Sequence, residues 1–138
     1  MNRLEKVMYT AKVHTTGGRA GKARSSDGHL EVALSRPGGP GTGTNPEQLF
    51  AAGWSACSES AMEVAARNLK IVLPADHAVD AEIDLEPEVG AYSLAARLYV
   101  SLPGMERATA ERLIEATHQV SPYSRATHGN IAAETTLV

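Results

Sequence analysis

Cys57 is the only thiol among the 138 residues of the chain, so thiolate chemistry is the clearest reaction that the sequence could support. A single cysteine cannot form an intrachain disulfide, which excludes a disulfide-stapled secreted domain and suits a reducing compartment. Its neighbours on a predicted helix are small and mostly apolar, and a lone cysteine in such surroundings is usually a buried, inert side chain. The residues alone therefore leave a structural role and a reactive role open.

Two other groups of residues match known sites poorly. The segment Gly17-Gly18-Arg19-Ala20-Gly21-Lys22 has one residue too few between its glycines for a phosphate-binding loop, and no Ser or Thr follows the lysine. The five histidines contain no pair four residues apart, a spacing by which one helix face binds zinc. We therefore expect no nucleotide, no metal and no other cofactor. The histidines are His14, His29, His77, His118 and His128.

Length and composition indicate one globular domain that spans residues 1–138. The chain is 43% hydrophobic, and its net charge of -3 without a basic run argues against nucleic acid as a partner. Residues 1–6 lack the apolar region of a secretion signal, and no later stretch reaches the ~18 apolar residues of a membrane span. These patterns predict a cytoplasmic protein that binds neither nucleic acid nor membrane.

The first half of the chain predicts a strand meander followed by a long helix. Residues 9–14 and 30–35 alternate with a period of two, and Asp27-Gly28 between them favours a hairpin turn. The glycines and prolines of residues 37–44 predict a loop. Asn45 and Pro46 then have the pattern of an N-cap followed by a first-position proline, so we expect a helix from there to about Lys70. Small residues should form one face of it and let another element approach closely: Leu49, Gly53, Ala56, Cys57, Ser60, Ala61 and Val64.

The second half predicts a hairpin, a helix and a final strand. Residues 78–85 and 94–102 alternate on either side of a Val89-Gly90 turn. Residues 106–120 have helical periodicity, and Pro122 marks the end of that helix. Residues 131–138 form a last strand. Strands and helices do not alternate regularly, which favours an α+β fold with antiparallel sheets.

Three segments of the sequence match one family closely. The run of residues 41–57, GTGTNPEQLFAAGWSAC, resembles the helix entry and first-cysteine motif of the organic hydroperoxide resistance (Ohr) proteins of the OsmC family. Residues 9–28 resemble the N-terminal meander of that family, and residues 118–131 resemble its second-cysteine segment. The resemblance therefore extends over nearly the whole chain.

The resemblance implies an OsmC/Ohr-like fold, with antiparallel sheets packed around a long central helix in an intertwined homodimer. It also implies a thiol peroxidase for organic hydroperoxides: a peroxidatic thiolate attacks the peroxide, a second cysteine forms a disulfide with the sulfenic acid, and a dithiol reductant of the lipoyl type restores the enzyme. By motif position, Cys57 is the peroxidatic residue, while Arg19 and Glu47 are the charged pair that activates it.

The implied charged pair makes physical sense, because only the thiolate is nucleophilic and a free thiol is mostly protonated at neutral pH. The Arg19 guanidinium supplies a positive charge that does not titrate, and Glu47 could orient it through a bidentate pair. Without the resemblance, Arg19 is equally a turn residue, and Glu47 simply a favourable charge at a helix N-terminus.

The predicted helix separates Glu47 from Cys57 by ten residues, or ~15 Å along the axis. The two side chains of one chain therefore cannot meet unless the helix is broken. We favour the other explanation, in which Arg19 and Glu47 of one subunit reach Cys57 of a second.

The sequence departs from the family pattern in two places. Ser121 stands where the pattern has its resolving cysteine, either because a natural cysteine was replaced or because this is a natural one-cysteine protein. The first step at Cys57 remains possible, whereas an external thiol would have to act on the sulfenic acid. Ser58-Glu59 stands where apolar residues are expected and could make the pocket more polar. Candidates for an apolar wall are Leu49, Phe50, Met62 and Tyr123.

Two other functions stay open at this point. The first is a non-enzymatic protein that keeps the dimer fold and binds a small apolar ligand in the pocket at the subunit interface, with Cys57 buried as a structural residue. The second is a cysteine hydrolase, which would need His118 or His128 beside Cys57.

Overall fold

The structure is a computed structural model that describes residues 6–138. It contains two compact units, the first ending at Pro46 and the second running from Glu47 to Val138, and each is described by itself. The absence of a secretion signal was predicted from residues 1–6, which lie almost entirely outside the described residues. Within residues 6–138, no helix combines the length and the apolar character needed to cross a membrane.

The first unit is an antiparallel meander, as predicted, but its first strand begins at Val13 rather than at residue 9, and its middle strand was not predicted. Its strands are β1 (Val13–Thr16), β2 (Lys22–Ser25) and β3 (Glu31–Ala33), hydrogen-bonded in that order. A single 3-10 turn, Gly18–Ala20, joins β1 to β2. The predicted Asp27-Gly28 turn joins β2 to β3, with Gly28 in the left-handed region at φ 77°.

Helix α1, Pro46–Leu69, begins at the predicted proline and ends one residue before Lys70, whose φ is 57°. The predicted small-residue face is only partly buried, because Ala56 and Ser60 are exposed. The large side chains set the orientation of the helix. Trp54 and Met62 are almost fully buried, so the face that carries them packs inward. The buried residues of α1 are Trp54, Ser58, Ala61, Met62, Ala65 and Ala66.

The second unit contains the predicted hairpin of β4 (Ala78–Glu88) and β5 (Ala91–Ser101), closed by a two-residue turn at Val89 and Gly90. Strand β6 (Ala132–Leu137) pairs with β5 in parallel, so this sheet is mixed rather than antiparallel throughout. The parallel pairing follows from the helical connection between the two strands, which returns the chain to the same end of the sheet.

That connection holds two helices, α2 (Arg107–Val120) and α3 (Pro122–Thr127). The end of α2 agrees with prediction, but Pro122 does more than stop it. It occupies the first position of α3, where its missing N–H costs nothing, and Ser121 is the N-cap. The α+β fold class is confirmed. The main core joins α1, β5 and α2 through Met62, Ala65, Ala66, Val100, Leu102, Ala110 and Leu113.

Tyr123 of α3 approaches α1 at Gly53. A Cβ added to Gly53 would lie 2.5 Å from the Tyr123 hydroxyl oxygen and 2.9 Å from Cζ. The prediction that small residues on α1 permit close approach is therefore confirmed at this position.

We expect Gly53→Ala to lower the free energy of unfolding by about 1 to 2 kcal/mol, measured by urea denaturation. Alanine is normally better than glycine in a helix interior by about 1 kcal/mol, but overpacking costs about 1 to 3 kcal/mol. In a Tyr123→Ala background the clash is gone, so the same substitution should stabilise. Destabilisation of equal size in both backgrounds would contradict this account.

Candidate active site

Cys57 and Ser121 lie in contact, although 64 residues separate them in the sequence. The Ser121 hydroxyl oxygen is 3.8 Å from the Cys57 sulfur, within range of a hydrogen bond to sulfur. Cys57 is partly buried, and Ser121 has no exposed surface. The structure thus brings together the two residues to which the family motif assigns the paired cysteines.

Ser121 is held from several directions at the junction of α2 and α3. Its N–H donates to the Thr117 carbonyl at 2.9 Å, and its own carbonyl accepts from the Arg125 N–H at 3.0 Å. Its hydroxyl oxygen accepts the Ser124 N–H at 3.3 Å, as an N-cap does. The side chain therefore has little freedom to move away from the sulfur.

Ser124 ties this junction to α1 and β6. The Trp54 indole N–H donates to the Ser124 hydroxyl at 3.2 Å, and the same hydroxyl lies 3.0 Å from Nδ1 of His118. Nε2 of His118 lies 3.0 Å from the Thr135 hydroxyl. A neutral His118 with its proton on Nε2 satisfies all of these contacts, because Nδ1 then accepts from Ser124.

Burial lowers the pKa of His118 below its ordinary value of 6.5, and the nearby negative charge of Glu115 only partly opposes this. The ring is therefore neutral at pH 7, as the hydrogen bonds require. Both ring nitrogens are engaged by hydroxyl groups, so His118 is not placed to act as a base toward Cys57.

The predicted apolar wall is present in part. Phe50 stacks edge-to-face on Trp54 at 5.7 Å between ring centres and on Tyr123 at 5.9 Å. Met62 instead belongs to the main core, where it has no exposed surface. The fourth candidate, Leu49, is partly buried.

The two departures beside Cys57 have different surroundings. Ser58 is buried in α1, and its hydroxyl has no hydrogen-bond partner within residues 6–138. The Glu59 carboxylate instead lies 2.6 Å from Nδ1 of His77, so its charge is directed to the segment before β4.

Arg19 and Glu47 are separated from Cys57 in the sequence, and Glu47 is also far from it in space. Glu47 occupies the first turn of α1, and the helix to Cys57 is continuous, so the two residues are ~15 Å apart along its axis. Arg19 is in the 3-10 turn of the first unit. The roles predicted for both remain predictions.

A groove of about 630 Å³ opens on the second unit and does not include Cys57 or Ser121. Its lining is largely polar and includes Glu115, His118, Gln119, Arg125 and His128. Across the described part of the chain, no three His, Cys, Asp or Glu side chains are grouped so that they could hold a metal ion.

The family model for OsmC-like proteins matches residues 39–136, which include Cys57, Ser121 and all but the last two residues of the second unit. The chain belongs to the OsmC family. Its OsmC-like relatives include an organic hydroperoxide resistance protein of Xanthomonas axonopodis pv. citri, 44% identical over 137 residues, with 96% of each chain covered. The organic hydroperoxide resistance protein OhrB of Bacillus subtilis is 38% identical over 130 residues, which are 91% of this chain and 94% of that protein.

Solved structures agree with the OsmC assignment. The crystal structure of OhrB from Bacillus subtilis superimposes with a TM-score of 0.90 and 36% identity, covering 96% of this chain and 100% of the other. The predicted OsmC/Ohr fold is therefore confirmed, including the Ohr branch to which these relatives belong by name.

Sequence analysis missed the network of Trp54, His118, Ser124 and Thr135. One local signal was available, because Ser121 followed by Pro122 is a good N-cap and first-position pair. That signal predicts a second helix and therefore a position for Ser124. The partners on α1 and β6 carry no local signal, since they meet only in the folded chain.

We expect wild-type stability to decrease more steeply than that of His118→Gln as pH falls from 7 to 5. The folded-state pKa of His118 is lowered, so its contribution is complete above about pH 6.5 and is lost as pH falls toward the folded pKa. Glutamine does not titrate. The measurement is the midpoint of thermal unfolding against pH.

The matched control is His14→Gln, because His14 is exposed on β1. It should keep the wild-type pH dependence. Parallel curves for wild type and His118→Gln would show that protonation of His118 is not linked to unfolding.

Proposed function

We propose that this protein is a thiol-dependent peroxidase that reduces organic hydroperoxides to alcohols at Cys57. The observation that carries the proposal is the pairing of the Cys57 sulfur with residue 121 at 3.8 Å in a chain whose relatives are named for organic hydroperoxide resistance. It is supported by the partial exposure of Cys57, which leaves a route to the sulfur.

In the first step, the Cys57 thiolate attacks the terminal oxygen of the hydroperoxide. The S–O bond forms as the O–O bond breaks, and the alkoxide takes a proton to leave as the alcohol. Sulfur is oxidised to sulfenic acid and the peroxide is reduced. An apolar surface beside the sulfur would favour bulky peroxides by about 0.8 kcal/mol per buried methylene. We assign that role to Phe50 and Tyr123, which contact each other.

The second step needs a thiol from outside the chain, because Cys57 is its only cysteine. An external thiol attacks the sulfenic sulfur and releases water, which leaves a mixed disulfide. A second thiol, or the second sulfur of a lipoyl-type dithiol, then restores Cys57 and leaves as the oxidised disulfide. The expected internal disulfide of the family is not part of this cycle.

Activation of Cys57 is assigned to Arg19 and Glu47 of a second subunit. The unbroken helix between Glu47 and Cys57 supports this arrangement, since it prevents the two residues of one chain from meeting. In a homodimer, the guanidinium would stabilise the thiolate while Glu47 orients it. A cytoplasmic location suits this chemistry, because external thiols are abundant there.

The binding-protein alternative is not favoured. Its main support was the missing second cysteine, whereas the relatives of this chain are named for organic hydroperoxide resistance. The hydrolase alternative is not favoured through His118 either. Its two ring nitrogens contact Ser124 and Thr135, so it does not act as a base toward Cys57.

One equivalent of cumene hydroperoxide should convert Cys57 to a species that a dimedone-type trap labels, detected by mass spectrometry. Labelling should be faster than with hydrogen peroxide, because the organic group gains from contact with apolar side chains. Cys57→Ser is the matched control and should remain unlabelled. If Cys57 reacts no faster than free cysteine, its role is structural and the proposed function is rejected.

The shared site can be tested by mixing two inactive chains, Glu47→Ala and Cys57→Ser, as a heterodimer purified with two tags. If sites form between subunits, one of the two sites then has both native residues, so activity should return to roughly half of wild type. Each variant alone should be reduced at least about tenfold. Activity equal to the average of the two parents would contradict a shared site.

A further inference from the structure

The Ser121 hydroxyl has one proton, and the contacts of its oxygen limit which acceptor that proton reaches. Its oxygen accepts the Ser124 N–H as the N-cap of α3, which uses a lone pair and not the proton. The hydroxyl proton therefore remains available to the Cys57 sulfur at 3.8 Å.

We propose that Ser121 is a catalytic residue that donates its hydroxyl hydrogen bond to the reacting sulfur of Cys57 and stabilises the thiolate. The proposal rests on the proposed peroxidase function and adds a role at the position where the family pattern has a thiol. Ser121 cannot form a disulfide, but a hydroxyl is a better hydrogen-bond donor than a thiol.

Burial strengthens this interaction. Ser121 has no exposed surface, so water does not replace its hydroxyl as a partner of the sulfur from that side. A hydrogen bond to a charged acceptor is stronger than one between neutral groups, and it is stronger again where water is excluded. The bond therefore favours the thiolate over the protonated thiol.

The N-cap fixes the direction of the bond. The backbone of Ser121 is held by Thr117 and Arg125, and its hydroxyl oxygen by Ser124. With one lone pair of the oxygen engaged by the Ser124 N–H, the O–H can turn toward the sulfur while the cap is kept. It therefore presents its proton to Cys57 before any peroxide arrives, which is the preorganisation that catalysis requires.

The test is the rate of alkylation of Cys57 by iodoacetamide as a function of pH, in wild type and in Ser121→Ala. Alanine should move the curve to higher pH and slow the reaction at pH 7 by about threefold to tenfold. The plateau rate at high pH should not fall, because the thiol is then fully ionised in both proteins and a thiolate without the hydrogen bond is at least as nucleophilic. A merely structural role would instead change the plateau through access to the sulfur.

Two further variants complete the test. Ser121→Thr keeps a hydroxyl and an N-cap and should restore the wild-type curve. Ser55→Ala removes a hydroxyl that lies two residues from Cys57 and donates to the Ala51 carbonyl at 2.8 Å, and it should have no effect. A Ser121→Ala curve that coincides with wild type, or differs only in its plateau, would overturn the proposal.

Alkylation needs no peroxide, so it separates this proposal from the proposed function. If wild-type Cys57 does not react with cumene hydroperoxide, the proposed peroxidase function is rejected. The effect of the hydrogen bond can still be measured by alkylation in that case. A reactive Cys57 with an unshifted Ser121→Ala curve would keep the peroxidase and reject the role of Ser121.

Discussion

The hydrogen bond from the Trp54 indole to Ser124 determines where the end of α2 and the start of α3 lie against α1. Both groups are buried, so breaking the bond would leave the indole N–H without a partner and cost about 1 to 3 kcal/mol. His118 completes the arrangement from α2. The contact between Cys57 and Ser121 follows, because Cys57 is three residues beyond Trp54 on α1 and Ser121 is three residues before Ser124.

Ser121 has two tasks that restrict the same side chain. It must cap α3 with its oxygen, and it must lie against the sulfur of Cys57 in a space with no exposed surface. Many residues satisfy one of these demands, but small side chains with a polar atom at the γ position satisfy both. Helix stability and the surroundings of the sulfur are therefore coupled at one residue.

Local signals in the sequence predicted the elements well. Asn45-Pro46 indicated the start of α1, and the alternation on either side of Val89-Gly90 indicated the hairpin, because both patterns depend on neighbouring residues. The small-residue face of α1 could be read from spacing, but spacing does not show which face is buried, since that depends on the area that Trp54 and Met62 must bury. The parallel pairing of β6 was missed because strand direction depends on the path of the connecting helices. Cys57 and Ser121 could be paired only through the family resemblance, since no local pattern joins residues so far apart.

The order in which these segments meet affects the thiol during folding. Strands β4 and β5 pair across a two-residue turn, so their contacts close a short loop and should form early. Ser121 and Ser124 reach α1 only after a closure of 64 to 70 residues, which is entropically more demanding and slower. We therefore expect Cys57 to remain unshielded until a late stage of folding. A newly made chain would meet an oxidant with its sulfur exposed and its α3 contacts still absent, so the reducing capacity of its surroundings matters while the chain is still folding.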